Sequence, residues 1–431
     1  MTLPPASSHS GWRVAQEART GGRAQLAQAL ADSRSRTLAL FGAWETALQP
    51  AGLAVPYAPE LNPPLWELGH IGWFQEWWLA RNPQRGLGVA CDPGQPRPTS
   101  WLAGADALYN SSEVPHASRW HLPLPDADAT RVYLQATLDD SLRGLSVCEE
   151  TDEALYFGRL ALFHEDMHAE AAVYMAQALG VPLPPDAAFP QGASVPSCPD
   201  ASPLQSGQAP LALFIPGGLW TLGSAGGGFA FDNELGAHAV PLDAFEIDAT
   251  PVTWARYLPF VEAGGYRDPR WWSPQGWQSL RGAGQPRYLR EAGGTWMQQR
   301  FGTWTPLDLQ APAVHLNWFE ADAWSRWAGR RLPTEAEWEC AALTRPDFCW
   351  GAVWDWTASP FAPYPGFVPH PYRDYSAPWF GTRPVLRGAS AATSPRMAHP
   401  KYRNYFTPER NDIFAGFRSC ALGPVVVCAW Q

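Results

Sequence analysis

The segment that decides the N-terminal fold reads His164-Glu165-Asp166-Met167-His168-Ala169-Glu170. It lies in a longer stretch, residues 151–179, whose apolar side chains recur with helical spacing. A helix turns by about 100° per residue, so positions i and i+4 share one face and can bind one metal ion. The stretch therefore predicts a helix that carries two imidazoles on its buried side.

Three further stretches with helical periodicity complete a predicted four-helix bundle over residues 20–180. Residues 23–48 are rich in Ala and Leu, and a helix over residues 128–142 is expected to end at Gly144. Bundles of this kind build metal sites between facing helices. The N-terminal region is therefore the place where a metal ion is expected.

The remaining helix carries a third histidine. Asn62 is its expected cap and Pro63 its expected first residue. Its buried stripe falls at i, i+4, i+7 and i+11 and consists of Trp66, His70, Trp73 and Trp77. We therefore expect His70, His164 and His168 to face one another and to bind a metal. Three imidazoles leave several coordination positions open, as in a metal that performs chemistry.

The same residues allow a second interpretation. His164-Glu165-Asp166-Met167-His168 matches the H-E-x-x-H pattern of zinc peptidases, in which Glu165 would be the general base. No downstream segment supplies the additional ligand that completes such zinc sites. Glu170 lies about 200° from His168 around the helix, so it is not expected to share the metal-facing side.

Composition limits the classes of partner. The 431 residues are 46% hydrophobic and 17% charged, which is typical of two or three globular, soluble domains. A net charge of −10 argues against nucleic acid and anionic membranes as partners. The sequence shows neither a secretory signal nor an apolar run of membrane-spanning length, so a cytoplasmic location is expected. The seven cysteines form no Cys-x-x-Cys pair and are expected to be reduced thiols.

The second half of the chain differs in character. Eight of the thirty residues in 181–210 are proline, which predicts a linker. Residues 211–431 combine short apolar runs with Gly turns, and helices are expected at 253–263 and 318–329. This pattern is typical of an α+β domain with few long elements. Within it, Asp232-Asn233-Glu234 is a candidate calcium loop.

Together these motifs resemble the iron-dependent sulfoxide synthases of ergothioneine biosynthesis. The helical half matches in His164-x-x-x-His168-x-Glu170 and in Leu68-Gly69-His70. The second half matches, in the family's order, in Arg331-Leu332-Pro333-Thr334-Glu335-Ala336-Glu337-Trp338-Glu339, Val353-Trp354-Asp355-Trp356-Thr357, Val385-Leu386-Arg387-Gly388-Ala389-Ser390 and Phe414-Ala415-Gly416-Phe417-Arg418. The resemblance covers residues 20–422. It implies a DinB-like four-helix bundle followed by a C-type-lectin-like domain of the formylglycine-generating-enzyme type.

The resemblance also implies the chemistry. Non-haem Fe(II) would be bound by His70, His164 and His168. Hercynine, the trimethylated betaine of histidine, would be the acceptor, and O2 and a chalcogen donor would be the other reactants. A bond would form to the imidazole carbon between the two nitrogens. The family uses a tyrosine as proton donor just before its Arg-Gly-x-Ser strand, which points to Tyr372 or Tyr375 without choosing between them.

The chain departs from the family's pattern in the segment that binds the donor. The family's donor segment corresponds here to Asn404, Tyr405, Phe406 and Arg410. Members that use γ-glutamylcysteine carry Trp-Asp after the Asn, whereas this chain lacks that carboxylate. Met167 also stands where many members have Gln.

Segments 62–76 and 109–120 are most similar to the selenoneine synthase branch, which joins hercynine to a selenosugar. A selenosugar is therefore the expected donor, with cysteine or γ-glutamylcysteine as alternatives. A zinc hydrolase and a non-catalytic binding protein are the alternatives from other functional classes.

Overall fold

The computed structural model describes residues 12–190 and 212–423. The N-terminal part is helical and contains α1 (Arg13–Thr20), α2 (Arg23–Leu48), α3 (Pro64–Trp78), α4 (Ala105–Tyr109), α5 (Ala127–Val147), α6 (Asp152–Leu179) and α7 (Pro185–Ala188). The four long helices α2, α3, α5 and α6 pack on one another, with α3 against both α5 and α6. The predicted four-helix arrangement is therefore present.

Helix α3 is more enclosed than a one-sided stripe predicts. Thirteen of its fifteen residues are buried, including polar ones such as Glu67 and Gln75. A helix that is buried all round lies in the interior of a protein rather than on its surface. The region in which the sequence predicts a metal is thus built around a fully internal helix.

Two helices, α2 and α6, begin and end where the sequence predicts. α2 spans Arg23–Leu48 as predicted. α6 begins after Thr151, whose hydroxyl accepts a hydrogen bond from the Ala154 amide, and ends at Gly180 in the left-handed conformation (φ 70°). These are ordinary caps, and both can be recognised in the sequence.

Two expected helix ends are wrong. α3 begins at Pro64 rather than at Pro63, and Asn62 does not cap it, because its amide donates to the Glu67 carboxylate instead. α5 continues through Gly144 to Val147. A glycine costs a helix about 1 kcal/mol, and the buried Leu145 compensates by packing in the bundle core.

The second part of the chain contains short strands and four helices within its described residues. The helices are α8 (Trp254–Glu262), α9 (Pro274–Ser279), α10 (Trp318–Trp327) and α11 (Glu335–Thr344). The strands are β1 (Ala212–Ile215), β2 (Gly218–Leu222), β3 (His238–Leu242), β4 (Phe245–Asp248), β5 (Leu289–Ala292), β6 (Thr295–Arg300), β7 (Thr303–Pro306), β8 (Arg330–Arg331), β9 (Trp354–Pro360), β10 (Pro384–Gly388), β11 (Asn404–Tyr405), β12 (Ala415–Gly416) and β13 (Cys420–Ala421). The α+β expectation is confirmed.

These strands form two four-stranded sheets, ordered β1-β4-β13-β8 and β11-β10-β9-β12, together with the hairpin β2-β3 and the sheet β5-β6-β7. The two predicted helices correspond to α8 and α10. Sequence analysis missed α11, although Thr334 and Glu337 form a capping box at its start.

The two parts of the chain are joined by extensive contacts. The Arg19 guanidinium of α1 forms a buried, bidentate ion pair with Glu234 (2.5 and 2.9 Å). α7 lies inside the predicted linker, and its Ala187 and Ala188 are buried in a shared apolar cluster with Phe414. Residues 191–210 of the predicted linker lie outside the described residues.

None of the helices in the described residues combines the length and the apolar composition that a membrane span requires. Cys91, Cys148, Cys340 and Cys420 are free thiols, as expected. The expectation of a reduced thiol is wrong at Cys349, which is disulfide-bonded.

Candidate metal centre

Helices α3 and α6 bring His70, His164 and His168 together. One ligand atom of each imidazole lies within 4.8 Å of the other two, and the Nε2 atoms of His164 and His168 are 3.2 Å apart. Two nitrogens that each lie about 2.1 Å from a metal are about 3 Å apart when their bonds are perpendicular. Among the described residues, this is the group of His, Cys, Asp and Glu side chains that fits a metal ion.

Hydrogen bonds to the opposite ring nitrogens orient two of these imidazoles. His70 Nδ1 donates to the Tyr109 carbonyl (2.8 Å), and His168 Nδ1 donates to the Glu67 carboxylate (2.5 Å). A neutral imidazole that donates from Nδ1 keeps a lone pair on Nε2. Such outer hydrogen bonds fix the tautomer and strengthen the ligand. The Nε2 atoms are therefore ready to bind a cation.

Gly69 explains why the motif reads Leu68-Gly69-His70. A Cβ atom at position 69 would overlap the ring of Tyr109. Without that Cβ, Tyr109 can pack directly on α3, so that its carbonyl reaches His70. The glycine is thus required by a close approach next to the metal ligand.

Burial sets the protonation states that metal binding requires. Burial, reinforced by the neighbouring His168, lowers the pKa of His70 to about 3, and it also lowers the pKa of His164 well below its usual value. Burial alone would raise the pKa of Glu67, but the adjacent His168 outweighs it, and the pKa falls to about 2. At neutral pH, His70 and His164 are neutral and Glu67 is ionised, which favours metal binding.

Aromatic rings hold the imidazoles in place. The His164 ring stacks on Phe74 with a centroid distance of 3.5 Å and an interplanar angle of 3°. The His70 ring stacks on Trp66 at 4.8 Å and 10°. These contacts restrict ring rotation, so the nitrogens keep the geometry that one ion needs.

Arg119 is a neighbour of the centre that sequence analysis did not identify. Its guanidinium lies 3.8 Å from the centroid of the Trp66 ring, and Nη1 donates to the Asn62 side chain (2.9 Å). Asn62 in turn donates to Glu67. Arg119 Nε is buried and has no hydrogen-bond partner among the described residues. A cation with an unused donor therefore stands beside the metal ligands.

The structure separates the two candidate tyrosines. The Tyr372 ring lies edge-on to His164 with a centroid distance of 6.4 Å, and among the described residues no protein group hydrogen-bonds to its hydroxyl. The Tyr375 hydroxyl is 3.1 Å from that of Tyr402, and its ring stacks on Phe231 at 4.4 Å. Burial raises the pKa of both phenols, so both are protonated at neutral pH.

The predicted donor residues occupy two places. The Tyr405 hydroxyl donates to the Tyr375 carbonyl, which joins Asn404 and Tyr405 of β11 to the tyrosine region. Phe406 and Arg410 lie beside Tyr174 of α6 instead. The Arg410 guanidinium forms a bidentate ion pair with Asp412 (2.5 and 2.6 Å). The segment therefore presents aromatic faces and an amide, while its cation is already paired.

The zinc-peptidase interpretation is wrong in its choice of base. Both carboxylate oxygens of Glu165 accept hydrogen bonds from Arg34, at 2.8 Å from Nε and 3.1 Å from Nη2. These side chains are only 2% and 3% exposed, respectively. Glu165 is thus held in a buried ion pair between α2 and α6 and cannot activate a water on the metal.

We predict that Glu165→Gln lowers the free energy of unfolding by about 3 kcal/mol, because it leaves Arg34 buried without its counter-charge. Denaturant unfolding of the metal-free protein measures the effect. Asp128→Asn is the matched control, since Asp128 pairs with Arg131 but is 95% exposed, and its expected cost is below about 0.5 kcal/mol. A variant as stable as the parent but without activity would restore Glu165 as a base.

The candidate calcium loop is occupied by protein donors. Asp232 accepts from the Ser376 hydroxyl and the His370 amide, and Glu234 binds Arg19. Asn233 also donates to Ser376 (3.0 Å). Because these groups already bind one another, the segment joins parts of the fold and is not arranged to hold calcium.

Comparison with known proteins finds relatives that match this chain over most of its length. A model of the sulfatase-modifying factor enzyme 1-like domain matches residues 198–352. The hercynine oxygenase of Mycolicibacterium smegmatis is 35% identical over 92% of this chain and 98% of its own length. The hercynine oxygenase of Mycobacterium tuberculosis is 34% identical over 91% of this chain and 98% of its own length.

A shorter relative matches part of the chain. The formylglycine-generating enzyme of Streptomyces coelicolor is 38% identical over 32% of this chain and 49% of its own length. With the domain match, this places the second half of the chain in the formylglycine-generating-enzyme-like, C-type-lectin-like fold. The two matches that cover more than nine-tenths of the chain extend the relationship through the helical half, and this chain belongs to the hercynine oxygenase family of oxidoreductases.

Proposed function

We propose that this protein is an Fe(II)- and O2-dependent enzyme that forms a carbon–chalcogen bond on the imidazole of hercynine. The three-histidine centre carries the proposal, because its three closely spaced imidazoles suit a catalytic metal with open positions. The names of the two full-length relatives supply the acceptor and the class of reaction. Bound Fe(II) would supply O2 activation and a binding position for an anionic chalcogen donor.

Glu67 and Tyr109 keep this centre competent. Their hydrogen bonds hold His168 and His70 with Nε2 directed inward. The ionised Glu67 carboxylate also places a negative charge behind the ligand set. This charge favours cation binding without occupying a coordination position.

Arg119 is suited to bind a substrate carboxylate. Hercynine carries a carboxylate, and Arg119 has a buried Nε with no protein partner in the described chain. A buried donor without a partner costs free energy, which an anionic ligand would recover. Stacking on Trp66 holds the guanidinium in place for this contact. Arg119 is therefore our candidate for substrate orientation.

Tyr372 is the better candidate for the proton donor. Its hydroxyl has no protein partner among the described residues, while that of Tyr375 is engaged with Tyr402. Its ring also packs against Phe74, the residue that stacks on His164. A protonated phenol at this position can deliver a proton to a reacting group beside the metal ligands.

The donor segment supports a donor that carries no charge apart from its chalcogen atom. Arg410 is paired with Asp412, and the Tyr405 hydroxyl is used by a backbone carbonyl. What remains for a ligand are the Asn404 amide and the aromatic face of Phe406, which suit a sugar better than a zwitterionic amino acid. On this basis a selenosugar is the preferred donor, and selenoneine synthase is the preferred activity.

A competition between donors tests this proposal. Purified protein, Fe(II), hercynine and air are combined with equal amounts of a selenosugar, cysteine and γ-glutamylcysteine, and the products are identified by mass spectrometry. We expect the selenosugar adduct to predominate by about tenfold or more, equivalent to about 1.4 kcal/mol. A predominant cysteine or γ-glutamylcysteine adduct would reassign the donor. Absence of O2 consumption with every donor would contradict the function itself.

A further inference from the structure

Helix α6 carries two acidic side chains on the side opposite its metal ligands. Asp166 and Glu170 each follow one of the two histidines by two residues, so they project about 200° away from His164 and His168. Glu170 is the acidic residue of the His164-x-x-x-His168-x-Glu170 motif for which the metal centre offers no role. Its contacts lie in the second domain.

Both carboxylates bind side chains of that domain. Glu170 Oε1 accepts hydrogen bonds from the Trp354 indole (2.7 Å) and the Ser390 hydroxyl (2.8 Å). Asp166 accepts two hydrogen bonds from the Arg396 guanidinium, at 3.0 Å from Nε and 2.9 Å from Nη2. Because one carboxylate oxygen accepts from an indole and a hydroxyl at the same time, it fixes both the position and the angle of the Trp354 side chain relative to α6.

A chain of contacts within the second domain leads from Trp354, which binds Glu170, to the tyrosines near the candidate metal centre. The Trp354 ring lies 5.8 Å from that of Tyr402. The Tyr402 hydroxyl is 3.5 Å from the Met167 sulfur and 3.1 Å from the Tyr375 hydroxyl. Met167 projects from α6 between the direction of Glu170 and that of His164. A series of direct contacts thus joins Glu170 to the tyrosines beside the centre.

We propose that Glu170 is a positioning residue that, by holding Trp354 and Ser390, sets where the Tyr402–Tyr375 pair meets α6. Its catalytic consequence rests on the proposed function, because the same domain presents Tyr372 to the histidines. Asp166 supports this arrangement by binding Arg396 one turn earlier. Among the described residues, neither carboxylate hydrogen-bonds to the three histidines.

The test compares Glu170→Gln, which removes the negative charge of the acceptor, with Trp354→Phe, which removes the indole donor of the same hydrogen bond. Glu153→Gln is the control, since Glu153 is exposed on α6. The protein is labelled with 3-fluorotyrosine, and the Tyr375 and Tyr402 signals in its ¹⁹F spectrum are assigned with Tyr375→Phe and Tyr402→Phe. Fe(II) affinity and the ratio of hercynine adduct to oxidised donor are measured on the same samples.

We expect both Glu170→Gln and Trp354→Phe to shift the Tyr402 and Tyr375 signals, to leave Fe(II) affinity within twofold and to lower the adduct ratio about tenfold. The double variant should be no worse than the more affected single variant. Unshifted signals and an unchanged adduct ratio would overturn the proposal, even if thermal stability fell. If Glu170→Gln does not fold, Trp354→Phe decides alone. If no hercynine adduct forms with the parent protein, the proposed function fails, while the ¹⁹F spectra still decide the positioning role.

Discussion

Replacing His164 with alanine is expected to abolish Fe(II) binding at this centre and to lower adduct formation by at least about 10³-fold. The Nε2 atom of His164 lies 3.2 Å from that of His168, and its ring is buried and stacked on Phe74. Alanine removes a ligand that no described neighbour replaces, and the remaining two imidazoles define an incomplete site. Equilibrium dialysis with metal analysis measures binding, and O2 consumption with mass spectrometry measures turnover.

His121→Ala is the matched control, because His121 is an exposed histidine in the same domain. It should bind Fe(II) at the parent stoichiometry and retain turnover. Full iron occupancy in His164→Ala, together with parental turnover, would show that the ligand set is assigned to the wrong residues. Unfolding curves of both variants identify any loss that comes from misfolding.

Replacing Tyr372 with phenylalanine is expected to change the outcome of the reaction more than its consumption of O2. The substitution keeps the ring, which packs on Phe74 and lies 6.4 Å from the His164 ring, and removes only its hydroxyl. Loss of a positioned general acid lowers the dependent step by roughly 10²- to 10⁴-fold. We therefore expect little hercynine adduct, with the donor oxidised instead, as measured by product analysis at matched O2 consumption.

Tyr375→Phe is the matched control, because it removes the hydroxyl of the other candidate proton donor. It removes a hydroxyl that is bonded to Tyr402, whereas the Tyr372 hydroxyl has no protein partner in the described part of the chain. Its effect on the adduct ratio should be smaller than that of Tyr372→Phe by at least about tenfold. The opposite ranking would assign the proton donor to Tyr375.

The long helices and the three-histidine centre can be predicted from the sequence for one physical reason. Helical spacing specifies which side chains face inward, and imidazoles at inward positions need a partner. That reasoning predicts that His70, His164 and His168 face one another, and the structure brings them together. The end of α5 was harder, because burial of Leu145 outweighs the local cost of Gly144.

The side chains that surround the centre could not be predicted from the sequence, because they contact residues that are far away along the chain. Arg119 meets Asn62 across 57 positions, and Glu170 meets Trp354 across 184. No local pattern specifies such pairings. The same holds for Glu165, whose match to a peptidase motif is overruled by an ion pair with Arg34, 131 positions away.

Helix α6 carries two histidines of the candidate centre on one side and the carboxylates that bind the second domain on the other. A change in one half of the chain therefore has to remain compatible with the other half. A chimaera in which the C-terminal half comes from a relative would need an indole in the place of Trp354 and a guanidinium in the place of Arg396, in contact with Glu170 and Asp166 of α6. Without them, the hydrogen bonds that Trp354 donates to Glu170 and that Arg396 donates to Asp166 would be lost, and α6 would no longer be fixed against the second domain.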